Sequence, residues 1–127
     1  MIRPLVFVVE DDPKLSEIIT ITLQADFELE TCMDGDEALK RLKTITPQIV
    51  VLDLNLPGTS GADILESIRA DERLDKTRVI LATADERQAE TLTDTADIIL
   101  LKPVSPAQLR EMALRMITAS DDSSSLP

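Results

Sequence analysis

Four short stretches of the chain are apolar without interruption, at residues 5–9, 49–52, 79–82 and 98–101. Strands that do not alternate with polar residues are typical of a parallel sheet that is covered by helices on both faces. A fifth stretch, residues 27–31, does alternate and is typical of a half-exposed edge strand. The pattern therefore predicts five strands, one of them at an edge.

Helical periodicity fills the segments between these strands. Asp12 followed by Pro13 predicts an N-cap and a first-turn proline for the first helix, and Ser60 and Ser105 are candidate caps for the third and fifth helices. The fourth helix, predicted over residues 86–95, has only a thin apolar stripe. We therefore expect it to be the least firmly packed of the five helices.

Five strand–helix units without a dinucleotide-binding glycine motif predict an α/β fold. We expect a flavodoxin-like, doubly wound, five-stranded parallel sheet with strand order 2-1-3-4-5 and five helices. This order places the alternating strand at an edge, as its pattern requires. Residues 1–119 are expected to form one domain, and the polar residues 120–127 a flexible tail or a truncated linker.

Charge and composition exclude several classes of function. The 127 residues include 24 acidic and 13 basic side chains, a net charge of −11. Such a surface repels phosphate backbones and anionic lipid, so we expect no direct binding to nucleic acid or membrane.

Histidine is absent, which excludes Ser-His-Asp catalysis and histidine metal ligands. Cys32 is the only cysteine and no signal peptide is evident, so we expect a reducing, cytoplasmic setting.

Polar side chains follow the apolar strands where those strands end. Glu10 and Asp11 follow the first strand, Asp53 the third, Thr83 the fourth and Lys102 the fifth. The carboxyl ends of parallel strands meet at one edge of a sheet, so these side chains should converge. Two carboxylates about 4 Å apart repel by about 4 kcal/mol at an effective dielectric near 20, which a proton or a cation must offset. Mg²⁺, which prefers hard oxygen ligands, fits this cluster best.

Each of these residues also has a plain structural interpretation. Asp53 could be a turn residue before Pro57, Thr83 a capping hydroxyl, and Lys102 an ordinary surface lysine. Short motifs taken singly have a high rate of false matches. Polar groups at the ends of successive buried strands are harder to explain by structure alone, and together they favour a functional site.

The same residues lie in motifs that resemble those of the receiver domain of two-component response regulators. The resemblance extends from about residue 3 to residue 117 and rests on Val-Val-Glu-Asp-Asp at 8–12, Val-Leu-Asp-Leu-Asn-Leu-Pro-Gly at 51–58, Ala-Thr-Ala at 82–84 and Leu-Lys-Pro at 101–103. It implies a phosphorylation-activated signalling module of a phosphorelay, with Asp53 as the phosphoacceptor. It implies no separate enzymatic activity beyond self-catalysed phosphotransfer and autodephosphorylation.

The resemblance also assigns the metal ligands. Asp11 and Asp53 would bind Mg²⁺ directly, the backbone carbonyl of Asn55 would be a third ligand, and Glu10 would act through metal-bound water. A sensor histidine kinase or a histidine phosphotransfer protein would supply the phosphoryl group, because this chain has no histidine of its own. The downstream target or fused effector, and a phosphorylation-dependent homodimer, stay open.

The phosphoryl group would have two further contacts in this family. Lys102 would pair with one phosphoryl oxygen and Thr83 would bond another. The family's Lys-Pro bond makes Lys102–Pro103 a candidate cis peptide. One departure is Ile99, which stands three residues before the lysine where the family often has Tyr or Phe.

Three other functions compete with this interpretation. An aspartate-nucleophile phosphatase of the haloacid dehalogenase type needs a second acid two positions after the nucleophile, where this chain has Asn55. A flavin-binding electron carrier needs a hydroxyl-rich loop after the first strand, where this chain has acids and a proline. A degenerate receiver that only binds proteins would not need every expected site position to be filled.

Overall fold

A computed structural model describes residues 3–125 of the chain, and the side chains of residues 3–118. It consists of five strands and five α-helices in alternation, with a short 3₁₀ turn after the third helix. In chain order they are β1 Leu5–Val9, α1 Pro13–Leu23, β2 Glu28–Cys32, α2 Gly35–Leu42, β3 Ile49–Leu52, α3 Gly61–Ala70, the 3₁₀ turn Glu72–Leu74, β4 Arg78–Thr83, α4 Glu86–Glu90, β5 Ile98–Leu101 and α5 Pro106–Ser125.

The strands form one parallel sheet in the order β2-β1-β3-β4-β5, which confirms the predicted flavodoxin-like topology. The alternating strand, β2, lies at an edge. Val9 of β1 is opposite Leu52 of β3, and Leu52 is in turn opposite Leu81 of β4. The central strands therefore end nearly level with one another, and the residues that follow them meet at the carboxyl-terminal end of the sheet.

Successive residues of each central strand pack into two different cores. Phe7 and Val9 of β1 pack into one cluster with buried side chains of α2 and α3, whereas Val6 and Val8 pack into another with those of α1 and α5. All four are fully buried. The uninterrupted apolar sequence of these strands follows from burial on both faces.

The predicted caps are confirmed where the helices begin. The Asp12 carboxylate accepts a hydrogen bond from the N–H two residues later (3.0 Å), and the Ser60 and Ser105 hydroxyls accept from the N–H three residues later (3.2 and 3.3 Å). Asp34 caps α2 in the same way, through the Glu37 N–H (2.8 Å).

The fourth helix is shorter than predicted. Its last residue is Glu90 and not residue 95, so the prediction was wrong at this end. The Thr91 hydroxyl donates to the Gln88 carbonyl (2.7 Å) and the Thr93 hydroxyl to the Glu90 carbonyl (3.3 Å). β-Branched residues whose hydroxyls bond the backbone favour turns over continued helix, and the thin apolar stripe offers little packing to oppose them.

The carboxyl-terminal helix continues past the predicted domain boundary, since the backbone of α5 is helical to Ser125. The division into a domain of residues 1–119 and a tail or linker of residues 120–127 stays a prediction. Residues 1, 2, 126 and 127 lie outside the described part of the chain. Within residues 3–125, no helix has the length and apolar character needed to cross a membrane.

Candidate functional site

Asp53 follows the buried strand β3 directly and is itself only 4% exposed. Its N–H donates to the Val9 carbonyl (3.0 Å), which extends the pairing of β3 with β1 by one residue. One carboxylate oxygen, Oδ1, accepts from the Asn55 N–H (3.2 Å), and the other, Oδ2, accepts from Lys102 Nζ (3.1 Å). The carboxylate is therefore held by a backbone donor and by a cation.

Glu10 continues β1 at the same edge and is 1% exposed. Its N–H donates to the Cys32 carbonyl (3.1 Å). In its carboxylate, Oε2 accepts from the Asp12 N–H (3.1 Å) and Oε1 contacts Lys102 Nζ at 2.9 Å. Lys102 thus bridges two buried carboxylates that come from different strands.

Asp11 completes the predicted acidic cluster. Carboxylate oxygens of Glu10, Asp11 and Asp53 lie within 4.8 Å of one another, with Asp11 exposed and the other two buried. Three hard oxygen donors, one of them open to solvent, fit the coordination that Mg²⁺ prefers and leave room for water ligands. A single lysine cannot neutralise three carboxylates, so the chemistry of this donor set favours a divalent cation.

The pKa values of Glu10 and Lys102 both shift upward, but for different reasons. Burial raises the pKa of Glu10, and the hydrogen bonds from Lys102 and from the Asp12 N–H offset this only in part. Burial alone would lower the pKa of Lys102, but its hydrogen bonds to Glu10 and Asp53 outweigh that effect and raise the pKa. Lys102 therefore carries its positive charge firmly at neutral pH.

The Lys102 side chain reaches the cluster from the end of β5 and is 23% exposed. The backbone N–H of Lys102 donates to the Thr83 carbonyl (2.9 Å), which anchors this residue to the end of β4. The peptide bond from Lys102 to Pro103 is cis, as the resemblance predicted.

Thr83 is fully buried at the end of β4. Its Oγ1 accepts a hydrogen bond from the Asp85 N–H (3.1 Å), and the Asp85 carboxylate accepts from the Gln88 N–H (3.0 Å) as the N-cap of α4. The hydroxyl predicted to contact a phosphoryl oxygen is thus linked through one residue to the start of α4. This link was not apparent from the sequence.

The remaining predicted positions lie close by. Asn55 is exposed and holds Asp53 through its N–H, while its carbonyl as a metal ligand stays a prediction. Ile99 is half-buried and packs against the core cluster of α2 and α3. The sequence did not reveal that Asp36, at the start of α2, bonds Thr59 in the loop after Asp53, because these residues are 23 positions apart.

The sequence profile of the response regulator receiver domain matches residues 6–114 of this chain. The chain belongs to the response regulator receiver domain family. As a receiver domain, it functions in phosphorylation-mediated two-component signalling.

Two curated relatives illustrate the match. The receiver domain is 34% identical over 118 residues to the DNA-binding response regulator MtrA of Mycolicibacterium smegmatis, covering 84% of this chain and 47% of MtrA. It is 33% identical over 118 residues to the phosphate regulon transcriptional regulatory protein PhoB of Rhizobium meliloti, covering 90% of this chain and 52% of PhoB. The chain therefore spans about half the length of these relatives.

A solved structure shows the same architecture. The BeF3-activated receiver domain of DrrB, a response regulator of Thermotoga maritima, superposes with a TM-score of 0.83 at 27% identity, covering 92% of this chain and 99% of that one.

Proposed function

We propose that Asp53 accepts a phosphoryl group from the phosphohistidine of a partner kinase or phosphotransfer protein. The observation that carries this proposal is the convergence of the Glu10, Asp11 and Asp53 carboxylates within 4.8 Å, beside the Lys102 ammonium. Receiver domains interact with histidine kinases, and this chain has no histidine of its own to serve as donor. In the transfer, an oxygen of Asp53 forms a bond to phosphorus while the bond from phosphorus to the donor imidazole nitrogen breaks.

The residues of the site support this transfer by position and charge. Phosphoryl transfer spreads negative charge over three oxygens, and catalysis consists mainly of placing groups that neutralise it. Lys102 Nζ lies 3.1 Å from Asp53 Oδ2. It would pair with one of the phosphoryl oxygens. The Asn55 N–H holds Oδ1 and limits rotation of the carboxylate, so that the nucleophile is oriented before the donor arrives.

Mg²⁺ would be held by Asp11, Asp53 and the Asn55 carbonyl, with Glu10 acting through water. Bound there, the ion would supply further neutralisation of charge. Glu10 accepts from Lys102 and from the Asp12 N–H, so it also keeps the ammonium directed toward Asp53. Self-catalysed phosphotransfer and autodephosphorylation belong to the same proposal, with water as the acceptor in the second reaction.

Thr83 connects the site to α4. In the structure its hydroxyl oxygen accepts from the Asp85 N–H, and its hydroxyl hydrogen is the group that would donate to a phosphoryl oxygen. A shift of Thr83 toward that oxygen would alter the hydrogen bond to Asp85, the residue that caps α4. The signal would then reach α4 although Ile99 replaces the family's frequent aromatic ring.

The partners beyond the phosphoryl donor are also part of the proposal. MtrA is named as a DNA-binding regulator and this chain spans about half of its length, so any effector lies outside the receiver domain. With a net charge of −11, the receiver domain itself is not expected to bind nucleic acid or membrane directly. A cytoplasmic location is expected, since that is where a histidine kinase would meet it.

The acceptor can be identified by phosphorylation with acetyl phosphate and Mg²⁺, followed by mass spectrometry of the intact chain. We expect the parent to gain one phosphoryl group and Asp53→Asn to gain none. Asp63→Asn, which removes the same charge from an exposed position in the first turn of α3, is the matched control and should behave as the parent. An unlabelled parent would favour a degenerate receiver that only binds proteins.

Metal binding has a test that does not depend on phosphorylation. Mg²⁺ at about ten times its dissociation constant should stabilise the fold by about 1.4 kcal/mol, a rise in melting temperature of roughly 5 °C. NaCl at matched ionic strength is the control for general screening of the acidic surface. A rise no larger than that given by NaCl would contradict a Mg²⁺ site. Asp53→Asn should show a smaller Mg²⁺ effect than the parent.

A further inference from the structure

The start of α2 is bonded to the loop that follows Asp53, which we call the β3–α3 loop (residues 54–60). Asp36 Oδ1 accepts two hydrogen bonds from Thr59, one from its N–H (3.1 Å) and one from its hydroxyl (2.7 Å). The neighbouring Gly35 N–H donates to the Pro57 carbonyl (2.9 Å). Three hydrogen bonds thus join the start of α2 to the β3–α3 loop, which is distant from it in sequence.

Two glycines allow this close approach. A Cβ on Gly35 would lie 1.8 Å from the Thr59 carbonyl oxygen, which is backbone and cannot move aside on its own. Gly58 has φ of +75°, and a Cβ there would lie 2.8 Å from Asp36 Oδ2. The bond between Asp36 and Thr59 is therefore part of a packed backbone junction and not a chance pairing of surface side chains.

The two ends of the β3–α3 loop are also held together, beside the phosphoacceptor. The Gly61 N–H donates to the Leu54 carbonyl (3.0 Å), and a Cβ on Gly61 would lie 2.1 Å from the Asp53 carbonyl oxygen. Asn55 lies between the two held ends, and its N–H bonds Asp53 Oδ1 (3.2 Å). Without the bonds to Thr59, the Gly35 N–H bond to the Pro57 carbonyl would be the one of these three that still holds the loop against α2.

We infer that Asp36 is a positioning residue for phosphorylation of Asp53, which it promotes through Thr59 and the β3–α3 loop. This inference rests on the proposed function of Asp53. By keeping the loop in place, Asp36 helps to hold the Asn55 N–H against the Asp53 carboxylate. Asp36 itself is exposed and is not a member of the acidic cluster.

A simpler role for Asp36 is to stabilise α2, since acids in the first turn of a helix interact favourably with its dipole. Two variants separate these roles. Asp36→Asn keeps an acceptor oxygen for Thr59 but loses the charge, whereas Asp36→Ala loses both. Asp34→Ala removes the cap of α2 without touching Thr59, and it controls for loss of helix stability.

The experiment measures the rate of Asp53 labelling by acetyl phosphate at saturating Mg²⁺, and amide exchange across residues 54–59. We expect Asp36→Ala to slow labelling about tenfold, less than the ~100-fold that a misplacement of about 1 Å can cause, and to speed exchange in the loop. Asp36→Asn should stay close to the parent in both. Asp34→Ala should lower the free energy of unfolding without changing the labelling rate.

Thr59→Val tests the same contact from its partner, because it removes the hydroxyl donor and keeps the shape and the N–H. It should slow labelling by less than Asp36→Ala does, and the double variant should label no more slowly than Asp36→Ala alone.

Several outcomes would overturn the inference. They are unchanged labelling in Asp36→Ala, an equal loss in Asp34→Ala, or an equal loss in Asp36→Asn. A parent that is not labelled at Asp53 would instead refute the proposed function and this role of Asp36 together.

Discussion

Helices α3 and α4 follow neighbouring central strands at the same edge of the sheet, yet they differ in how they are anchored. Both are capped by a side chain, α3 by Ser60 and α4 by Asp85. The ten residues of α3 include four that are buried, whereas the five residues of α4 include only Ala89.

The difference shows that a cap starts a helix but does not set its length. An N-cap contributes about 1 kcal/mol to either helix, while most helical stability in proteins comes from packing an apolar face. The less packed helix is the one whose cap is bonded to Thr83. A local rearrangement of α4 should therefore cost less free energy than one of α3. α4 is also the helix next to Thr83, through which phosphorylation is proposed to act.

Loss of a core side chain from α3 should destabilise the protein more than any other change proposed for these helices. Ile68 is fully buried, and Ile68→Ala should lower the free energy of unfolding by about 2–5 kcal/mol. Ala89→Gly is the corresponding change in α4 and should cost about 1 kcal/mol or less. Urea denaturation followed by circular dichroism measures both, and equal costs would remove the proposed contrast between the helices.

Removal of the caps should separate global from local stability. Ser60→Ala should lower the global free energy of unfolding by about 1 kcal/mol, because α3 is packed into the core. Asp85→Ala should change the global value little and instead speed amide exchange in residues 86–90, because α4 can open by itself. If exchange rose equally in both helices, α4 would not be an independent unit.

A weaker effect is expected from Cys32, which is buried in the same core cluster as side chains of α3. Burial raises the pKa of its thiol above the ordinary value of 9.0. Between pH 9.0 and the raised pKa, the thiol stays protonated in the folded state and ionises in the unfolded state. The unfolded state then binds fewer protons, so the free energy of unfolding falls as pH rises through this range.

Urea denaturation between pH 8.5 and 9.5 measures this fall in the free energy of unfolding, and the fall should be smaller in Cys32→Ala.

Modification of Cys32 by a thiol reagent extends the comparison between the helices. Ser60→Ala should speed this modification and Asp85→Ala should not. Fast modification of the parent at pH 8.5 would contradict a buried, protonated thiol.

Much of the fold was predictable because short stretches of sequence specify the individual strands and helices. The apolar runs at residues 5–9 and 49–52 coincide with β1 and β3, whose side chains are buried on both faces. The run at 98–101 coincides with β5 although Leu101 is exposed, and β4 is one residue longer at each end than the run at 79–82. The edge strand β2 begins and ends one residue later than its alternation indicated. The end of α4 was misjudged because its apolar stripe is thin and tertiary packing had little to add.

The acidic cluster was also predictable, because it needs only strand ends and the order of the strands. The side-chain partners within it were not. That Lys102 contacts both Glu10 and Asp53 depends on how far β5 extends beside β4 and on the path of the chain after it.

The five strand–helix units, the sheet order and the acids that follow β1 and β3 could all be inferred from the amino-acid sequence. These depend on hydrophobic periodicity and on the position of residues relative to strand ends, both of which act over short stretches of chain. The hydrogen bond between Asp36 and Thr59, and the one between Thr83 and the cap of α4, became visible only in the folded molecule. The reason is that such contacts depend on ångström-scale approaches between segments distant in the chain or between a strand end and a helix cap, which no periodicity in the sequence records.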